Sequence, residues 1–291
     1  MPRLGFVGLG TMGMPMAAHL LEKGHDVMVW SRTPGKADSL AVKGARLAAS
    51  IEELGSKCGI VFLCVNRTED VRECIAGLID GNPQSEIQKL TIIDHSTISP
   101  SAAKEIHHEV GAKGVAFVDA PITGGSMGAQ RGQLTVFCGG EQESIEPVLR
   151  YIKAYAKRAE RVGGPGAGQM MKMANQIAVG GTLLALCESL AFASKAGLDL
   201  PQTRELLSGG AAGSWAFENY GPKILERDWS PGFTVENQRK DFAYVLEAAE
   251  KLGLDVPGTK LVDGLLAKLE DEGHGGWTTA ALFEVMSRSP V

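Results

Sequence analysis

Three groups of residues have types and spacings suited to chemistry. Gly8-Leu9-Gly10-Thr11-Met12-Gly13 follows a short apolar run, Leu4-Gly5-Phe6-Val7, and opens a helical pattern from Met14 to Lys23 that Gly24 stops. In that context Gly8 allows a tight turn, Gly10 lets the backbone approach a pyrophosphate, and Gly13 lets helix and strand pack closely. The anion then sits at a helix N-terminus, where free N–H groups and the helix dipole favour it. Thr123-Gly124-Gly125 follows a strand-like run; its glycines expose backbone N–H groups that suit a carboxylate, and Thr123 adds a hydroxyl. Lys172 lies one turn into a helix that opens after Gly163-Gly164-Pro165-Gly166-Ala167-Gly168, and is expected to project into a cleft between two domains. A partly desolvated ammonium tuned toward a pKa of roughly 7–8 is a good acid near neutral pH. Asn175 is three residues on and shares the helix face, so it can hold the ammonium or a substrate oxygen.

The end of the second strand separates the two nicotinamide dinucleotides. An NAD site usually carries Asp or Glu there, about 20 residues past the glycines, to hold ribose hydroxyls. Here Trp30 is followed by Ser31-Arg32-Thr33, with no carboxylate. Two hydroxyls and a guanidinium suit a phosphate, so the expected cofactor is NADP rather than NAD.

These residues need a scaffold, and the apolar pattern supplies one. Continuous runs at 4–7, 26–30, 60–65, 90–94, 115–119 and 134–138 read as strands buried on both faces, with helical segments between most of them. That is a doubly wound parallel sheet of the Rossmann type, an α/β architecture. The strand signal stops after about residue 162. Beyond it the pattern is helical: a long segment to about Ala196, then Pro201–Ser208, Arg239–Leu252 and Lys260–Glu272. The expected division is 1–163, a dinucleotide-binding domain, and 164–291, an all-helical domain for substrate binding and oligomerisation.

Composition narrows the function classes. The 291 residues carry 29 basic and 34 acidic side chains, a formal charge of −5, without the basic footprint a nucleic-acid binder needs. Arg150, Lys153, Lys157, Arg158 and Arg161 are basic at helix-like spacing and read as a solvated face or a domain junction rather than a nucleic-acid site. The five cysteines form no C-x-x-C pair, and read as reduced thiols of a cytoplasmic protein. His107-His108 point apart on a helix and have no H-x-x-x-H partner, so no metal site is expected. No leader-like segment opens the sequence. The apolar stretch from Ile177 is interrupted by Gly180, Gly181 and Glu188, so no membrane span is expected; it suits burial against another subunit.

Together with the glycine loop and Ser31-Arg32-Thr33, three later motifs resemble the β-hydroxyacid dehydrogenase family, which includes 3-hydroxyisobutyrate dehydrogenase and the tartronate, glyoxylate and succinic semialdehyde reductases. Asp119-Ala120-Pro121-Ile122-Thr123-Gly124-Gly125 is close to the family's D-A-P-V-S-G-G substrate signature, with Thr for Ser. The segment from Gly166 to Gln176 carries the family's catalytic Lys and the following Asn, here Lys172 and Asn175. Arg239-Lys240-Asp241-Phe242 is similar to its K-D pair. Segments 209–214 and 230–233 also resemble the reductases, with Ser214 and Phe233 as further pocket candidates, and the matches run in family order over nearly the whole chain.

The resemblance implies hydride transfer between NADP and a small carboxylate-bearing semialdehyde, or the reverse oxidation of its hydroxy acid, in a homodimer or homotetramer. It makes Lys172 the proton donor or acceptor, with Asn175 beside it. It assigns Thr123, Gly124, Gly125 and Lys240 to the substrate, and Gly8 to Gly13, Ser31, Arg32, Thr33, Val65, Thr97 and Lys240 to the cofactor. Thr97 belongs to Asp94-His95-Ser96-Thr97, which matches the family's D-x-S-T loop and would lie near the nicotinamide. Val65-Asn66 stands where relatives often have Leu-Pro. An imine reductase on the same scaffold, or a dinucleotide-binding sensor without turnover, are the alternatives, and Lys172 with Asn175 counts against both. The second domain is short for a 6-phosphogluconate-type dehydrogenase.

Overall fold

A computed structural model describes residues 2–82 and 90–288. Their strands form one sheet: β1 (Leu4–Val7), β2 (Val27–Trp30), β3 (Arg46–Leu47), β4 (Ile60–Leu63), β5 (Thr91–Asp94), β6 (Ala116–Asp119), β7 (Ile122–Thr123), β8 (Leu134–Gly139) and β9 (Ala156–Gly163). The order is β3-β2-β1-β4-β5-β6-β8-β7, with β9 on β8. Strands β1 to β6 are parallel, and β1 lies between β2 and β4, Leu4 pairing with Val27 on one side and Ile60 on the other. The chain therefore reverses direction across the sheet at β1, the switch point where open α/β sheets hold ligands outside the strand ends.

The helices of this part are α1 (Gly13–Glu22), α2 (Asp38–Val42), α3 (Ile51–Lys57), α4 (Thr68–Asp80), α5 (Pro100–Gly111), α6 (Gly125–Gln130), α7 (Gln142–Ile145) and α8 (Leu149–Ile152). They cover both faces of the sheet. Successive strand residues point to opposite sides. Leu4, Phe6, Val29, Phe62 and Val118 join one core with Met16 and Leu20 of α1 and Tyr151 of α8. Val7, Met28, Val61, Ile92 and Phe117 join the other with Leu54, Val71, Leu78 and Ile106 of α3, α4 and α5. Burial on both faces is why these strands read as unbroken apolar runs.

The chain then runs into α9 (Ala167–Lys195), α10 (Leu200–Ser208), α11 (Trp215–Asn219), α12 (Gly221–Glu226), α13 (Val235–Lys251), α14 (Pro257–Asp271), a 3-10 turn at Thr279–Ala281, and α15 (Leu282–Ser287). Two compact units part between Lys172 and Met173, inside α9. In the second unit, Leu183, Leu186, Cys187 and Leu190 of α9, Phe242 and Val245 of α13, and Val262 and Leu266 of α14 are buried. Gly180 admits the Phe242 ring: a Cβ there would lie 2.7 Å from Phe242 Cζ.

Two expectations change. The basic stretch is not a helix face: Lys157, Arg158 and Arg161 lie on β9, while Arg150 belongs to α8 and Lys153 caps it. Pairing with β8 decides the conformation there, against the local spacing. Gly180 and Gly181 do not interrupt the apolar stretch, because α9 runs through them for 29 residues. By length and composition alone this one helix among the described residues could cross a membrane, with mean hydropathy 1.7. Its buried Gln169, Lys172 and Gln176 are each hydrogen-bonded within the protein, as in the core helix of a folded domain.

Candidate functional site

The glycine loop of the first unit leaves β1 and enters α1. Gly8 has φ +91°, and a Cβ there would lie 2.2 Å from the Cys64 carbonyl oxygen. A Cβ at Gly13 would lie 1.9 Å from the Gly8 carbonyl oxygen, whereas one at Gly10 would meet nothing within 4 Å. Two glycines close the turn and the third leaves it open. The first turn of α1 carries no acidic side chain, and among the described residues none caps it. Its N–H groups and dipole can therefore serve an anion, so the cradle fits the pyrophosphate of a nicotinamide dinucleotide.

At the end of β2 a cavity of about 150 Å³ is lined by Trp30, Ser31, Thr33, Pro34, Gly35 and Leu47, among others. Ser31 Oγ accepts the Thr33 N–H at 3.3 Å. Arg32 is turned to α4, where it donates to Asp70 Oδ1 and Glu73 Oε2, both at 3.1 Å. Its side chain is 65% exposed, so these ion pairs are weak enough for a phosphate to replace.

The loops after β4 and β5 are tied together. The Val65 N–H donates to Ser96 Oγ at 2.9 Å, and the Ser96 N–H to Asp94 Oδ1 at 2.9 Å. Val65 Cγ1 would be 3.1 Å from a Cβ at Gly8, which puts Val65 beside the glycine turn. His95 is buried under Phe62. Its Nδ1 is 2.6 Å from the Ala120 carbonyl oxygen, which can only accept, so Nδ1 carries the proton and Nε2 accepts from the Tyr155 hydroxyl at 2.8 Å. Burial holds the His95 imidazole down to about 4. Thr97 is half-buried between fixed neighbours.

Thr123 ends β7, and Gly124 and Gly125 follow at φ +126° and +65°. Lys172, buried on the first turns of α9, donates from Nζ to the Ile122 carbonyl oxygen at 2.9 Å. The structure thus brings the lysine to the strand residue next to Thr123. Asp119 ends β6 and accepts N–H bonds from Gly166 on Oδ1 and Gln169 on Oδ2, both at 2.9 Å. Burial pushes the Asp119 carboxyl up to about 6 despite these donors.

The second unit assembles its own polar chain. Asn175 Nδ2 donates to Gln176 Oε1 at 3.0 Å, and Gln176 Nε2 to Asp241 Oδ2 at 2.7 Å. Lys240 Nζ is 3.2 Å from Asp241 Oδ1. Asn175 and Lys240 are therefore joined through two buried residues, Gln176 and Asp241. Sequence reading names Asp241 only as part of the K-D motif and gives Gln176 no role. Ser214 is an N-cap, accepting the Phe217 N–H, and Phe233 is half-buried. Among the described residues no group of three or more His, Cys, Asp or Glu is placed to hold a metal ion. The five cysteines are free thiols, and burial pushes Cys58, Cys74 and Cys138 up to about 12.

Comparison with known proteins places this geometry among relatives. A family model described as the NAD binding domain of 6-phosphogluconate dehydrogenase matches residues 3–164, and one described as NAD-binding of NADP-dependent 3-hydroxyisobutyrate dehydrogenase matches 166–286. The chain is 36% identical to an oxidoreductase of Shewanella frigidimarina, over 99% of both chains. It is 35% identical to the 2-hydroxy-3-oxopropionate reductase of Escherichia coli, over 98% of this chain and 97% of the other. The structure of Mycobacterium tuberculosis 3-hydroxyisobutyrate dehydrogenase with L-serine superposes with a TM-score of 0.88 at 26% identity, over 99% of this chain and 100% of that one.

Proposed function

The chain belongs to the β-hydroxyacid dehydrogenase family of NAD(P)-dependent oxidoreductases acting on CH–OH groups, and we propose that it reduces a small carboxylate-bearing semialdehyde with NADPH, Lys172 giving the proton. The bound nicotinamide supplies hydride at the carbonyl carbon. The chain's residues orient the substrate and stabilise the oxygen that becomes negative. Thr123, with the N–H groups of Gly124 and Gly125, takes the carboxylate, and Lys240 adds a second cation. Asn175 holds the carbonyl oxygen or the lysine. The Lys172 ammonium then gives a proton to the alkoxide oxygen, and the reverse transfer serves oxidation.

The observation that carries this reading is the seat of Lys172 Nζ on the Ile122 carbonyl, next to Thr123-Gly124-Gly125. An ammonium there stands beside the loop best suited to a carboxylate. NADP over NAD is supported by Ser31 and Thr33 on the cavity at the end of β2 and by the exposed Arg32 guanidinium between them in sequence. Val65, beside the glycine turn, and Thr97 would help hold the dinucleotide when it is bound. A homodimer or homotetramer in the cytoplasm completes the proposal; the exposed Ile177 and Phe192 of α9 support assembly, and sedimentation tests it.

The decisive experiment is consumption of NADPH and NADH with glyoxylate and a panel of short semialdehydes, for the wild type and Lys172→Ala. Turnover with NADPH that the variant loses is the expected result. Undiminished turnover in Lys172→Ala removes the lysine from the mechanism. Turnover with NADH alone removes the NADP assignment.

A further inference from the structure

Two parts of the first unit must keep register in the proposed reaction: the loop bearing Thr97 and the helical turn bearing Lys172. One side chain joins them. Gln169 is fully buried. Its Oε1 accepts the Ile98 N–H at 3.2 Å, and its Nε2 donates to the Ser96 carbonyl oxygen at 2.8 Å. The carboxamide therefore grips the backbone on both sides of Thr97.

The same residue is anchored from below. Its own N–H and that of Gly166 donate to the two oxygens of Asp119 at the end of β6. A Cβ at Gly168 would lie 2.4 Å from the carbonyl oxygens of both Asp119 and Phe137, so this turn of α9 rests directly on β6 and β8. Lys172 is three residues beyond Gln169, on the same helix face. Asp119 fixes the turn to the sheet, and Gln169 fixes the Thr97 loop to the turn. A side chain that only filled space would need no polar atoms, and burying an amide costs free energy unless both ends are bonded. Here both ends are bonded, and to the two residues that flank Thr97.

We propose that Gln169 is a positioning residue: its carboxamide holds the Thr97 loop against the turn carrying Lys172, so the nicotinamide side and the proton donor keep one register. This rests on the reading of Lys172 and Thr97 given above.

Gln169→Glu and Gln169→Leu test it. In Gln169→Glu, an ionised carboxylate would set an oxygen against the Ser96 carbonyl. A protonated carboxyl would donate O–H to that carbonyl and accept from Ile98, restoring both bonds. We expect kcat at pH 8 to fall tenfold or more in both variants, with KM and the NADPH Kd within threefold of wild type. Gln169→Glu should recover toward wild type, measured at the same pH, as pH is lowered to 5.5; Gln169→Leu should not. In the cofactor-free protein, amide exchange over residues 94–99 should quicken at least tenfold in both at pH 8. Should Gln169→Leu fail to fold, Gln169→Glu decides alone. Wild-type kcat in the folded variants, or a loss in Gln169→Glu that pH never reverses, overturns the proposal. Turnover kept in Lys172→Ala would strike the lysine reading and this proposal with it; turnover lost in Lys172→Ala but kept in Gln169→Leu would strike Gln169 alone.

Discussion

Lys172 Nζ donates to the carbonyl oxygen of Ile122 at 2.9 Å, the residue before Thr123. The bond holds the ammonium to the strand end that leads into Thr123, Gly124 and Gly125. Lys172→Ala should lower kcat by about 10²–10⁴-fold, the usual worth of a general acid, while leaving the NADPH Kd within threefold. Lys172→Arg keeps the charge, but a guanidinium does not release its proton at neutral pH, so it should not restore turnover. Stopped-flow reduction with titration of NADPH fluorescence checks both. An active arginine variant would mean that charge alone suffices.

Arg32 directs its guanidinium to Asp70 and Glu73. A 2′-phosphate would have to draw it away from two carboxylates, and exposed pairs of this kind contribute little. Glu73→Gln should therefore tighten NADPH binding by up to about fivefold, least at high salt. Arg32→Ala should weaken NADPH about tenfold or more and leave NADH nearly unchanged. Competitive titration of the two nucleotides at low and high ionic strength reads out both effects. Equal losses for NADPH and NADH in Arg32→Ala would end the NADP argument.

The main strands of the sheet were legible because burial on both faces writes each as a continuous apolar run, as in Ile60–Leu63. The two-residue strands β3 and β7 are too short for a pattern. β9 was hidden because Lys157, Arg158 and Arg161 mark an exposed strand whose conformation comes from β8, across the chain. Gly180 and Gly181 looked like breaks, yet Gly180 is where the Phe242 ring fits against α9. At the site, Gly8 and Gly13 carry their close backbone approaches in type and spacing, and Lys172 stands out as a lysine just past a glycine-rich breaker. Gln169, Gln176 and the Asp119 carboxylate act through partners tens of residues away, which spacing does not reveal.

Two buried groups in the same unit oppose each other in their pH dependence. Burial holds His95 down to about 4, so the folded protein binds fewer protons there than the unfolded chain, and stability rises with pH from about 4 to 6.5. Burial pushes Asp119 up to about 6 from 3.8, so there the folded state binds more protons and stability falls as pH rises through that window. Each slope is on the order of 1.4 kcal/mol per pH unit, and in the wild type they largely offset. His95→Gln can still donate to Ala120 and accept from Tyr155 while removing the rising slope. Relative to wild type it should gain stability as pH falls from 6.5 to 4, and Asp119→Asn should lose it. Urea unfolding at pH 4.5, 5.5, 6.5 and 7.5 measures this, and variant curves parallel to wild type would contradict it.

The glycine loop separates stability from binding at adjacent positions. A Cβ at Gly13 would press to 1.9 Å of the Gly8 carbonyl, while a Cβ at Gly10 would meet nothing within 4 Å and sits at a φ open to any residue. Gly13→Ala must shift helix against strand, an overpacking cost of about 1–3 kcal/mol, and should lower the Tm by several degrees. Gly10→Ala should unfold at the wild-type temperature. Its methyl group would nonetheless stand over the N-terminus of α1, where the pyrophosphate needs close backbone approach. We expect NADPH and NADH to weaken alike in Gly10→Ala, by at least tenfold, because the contact lies on the part they share. Thermal unfolding without nucleotide and titration with each nucleotide separate the two effects. Wild-type affinity in a well-folded Gly10→Ala would mean that the dinucleotide does not cross the loop there.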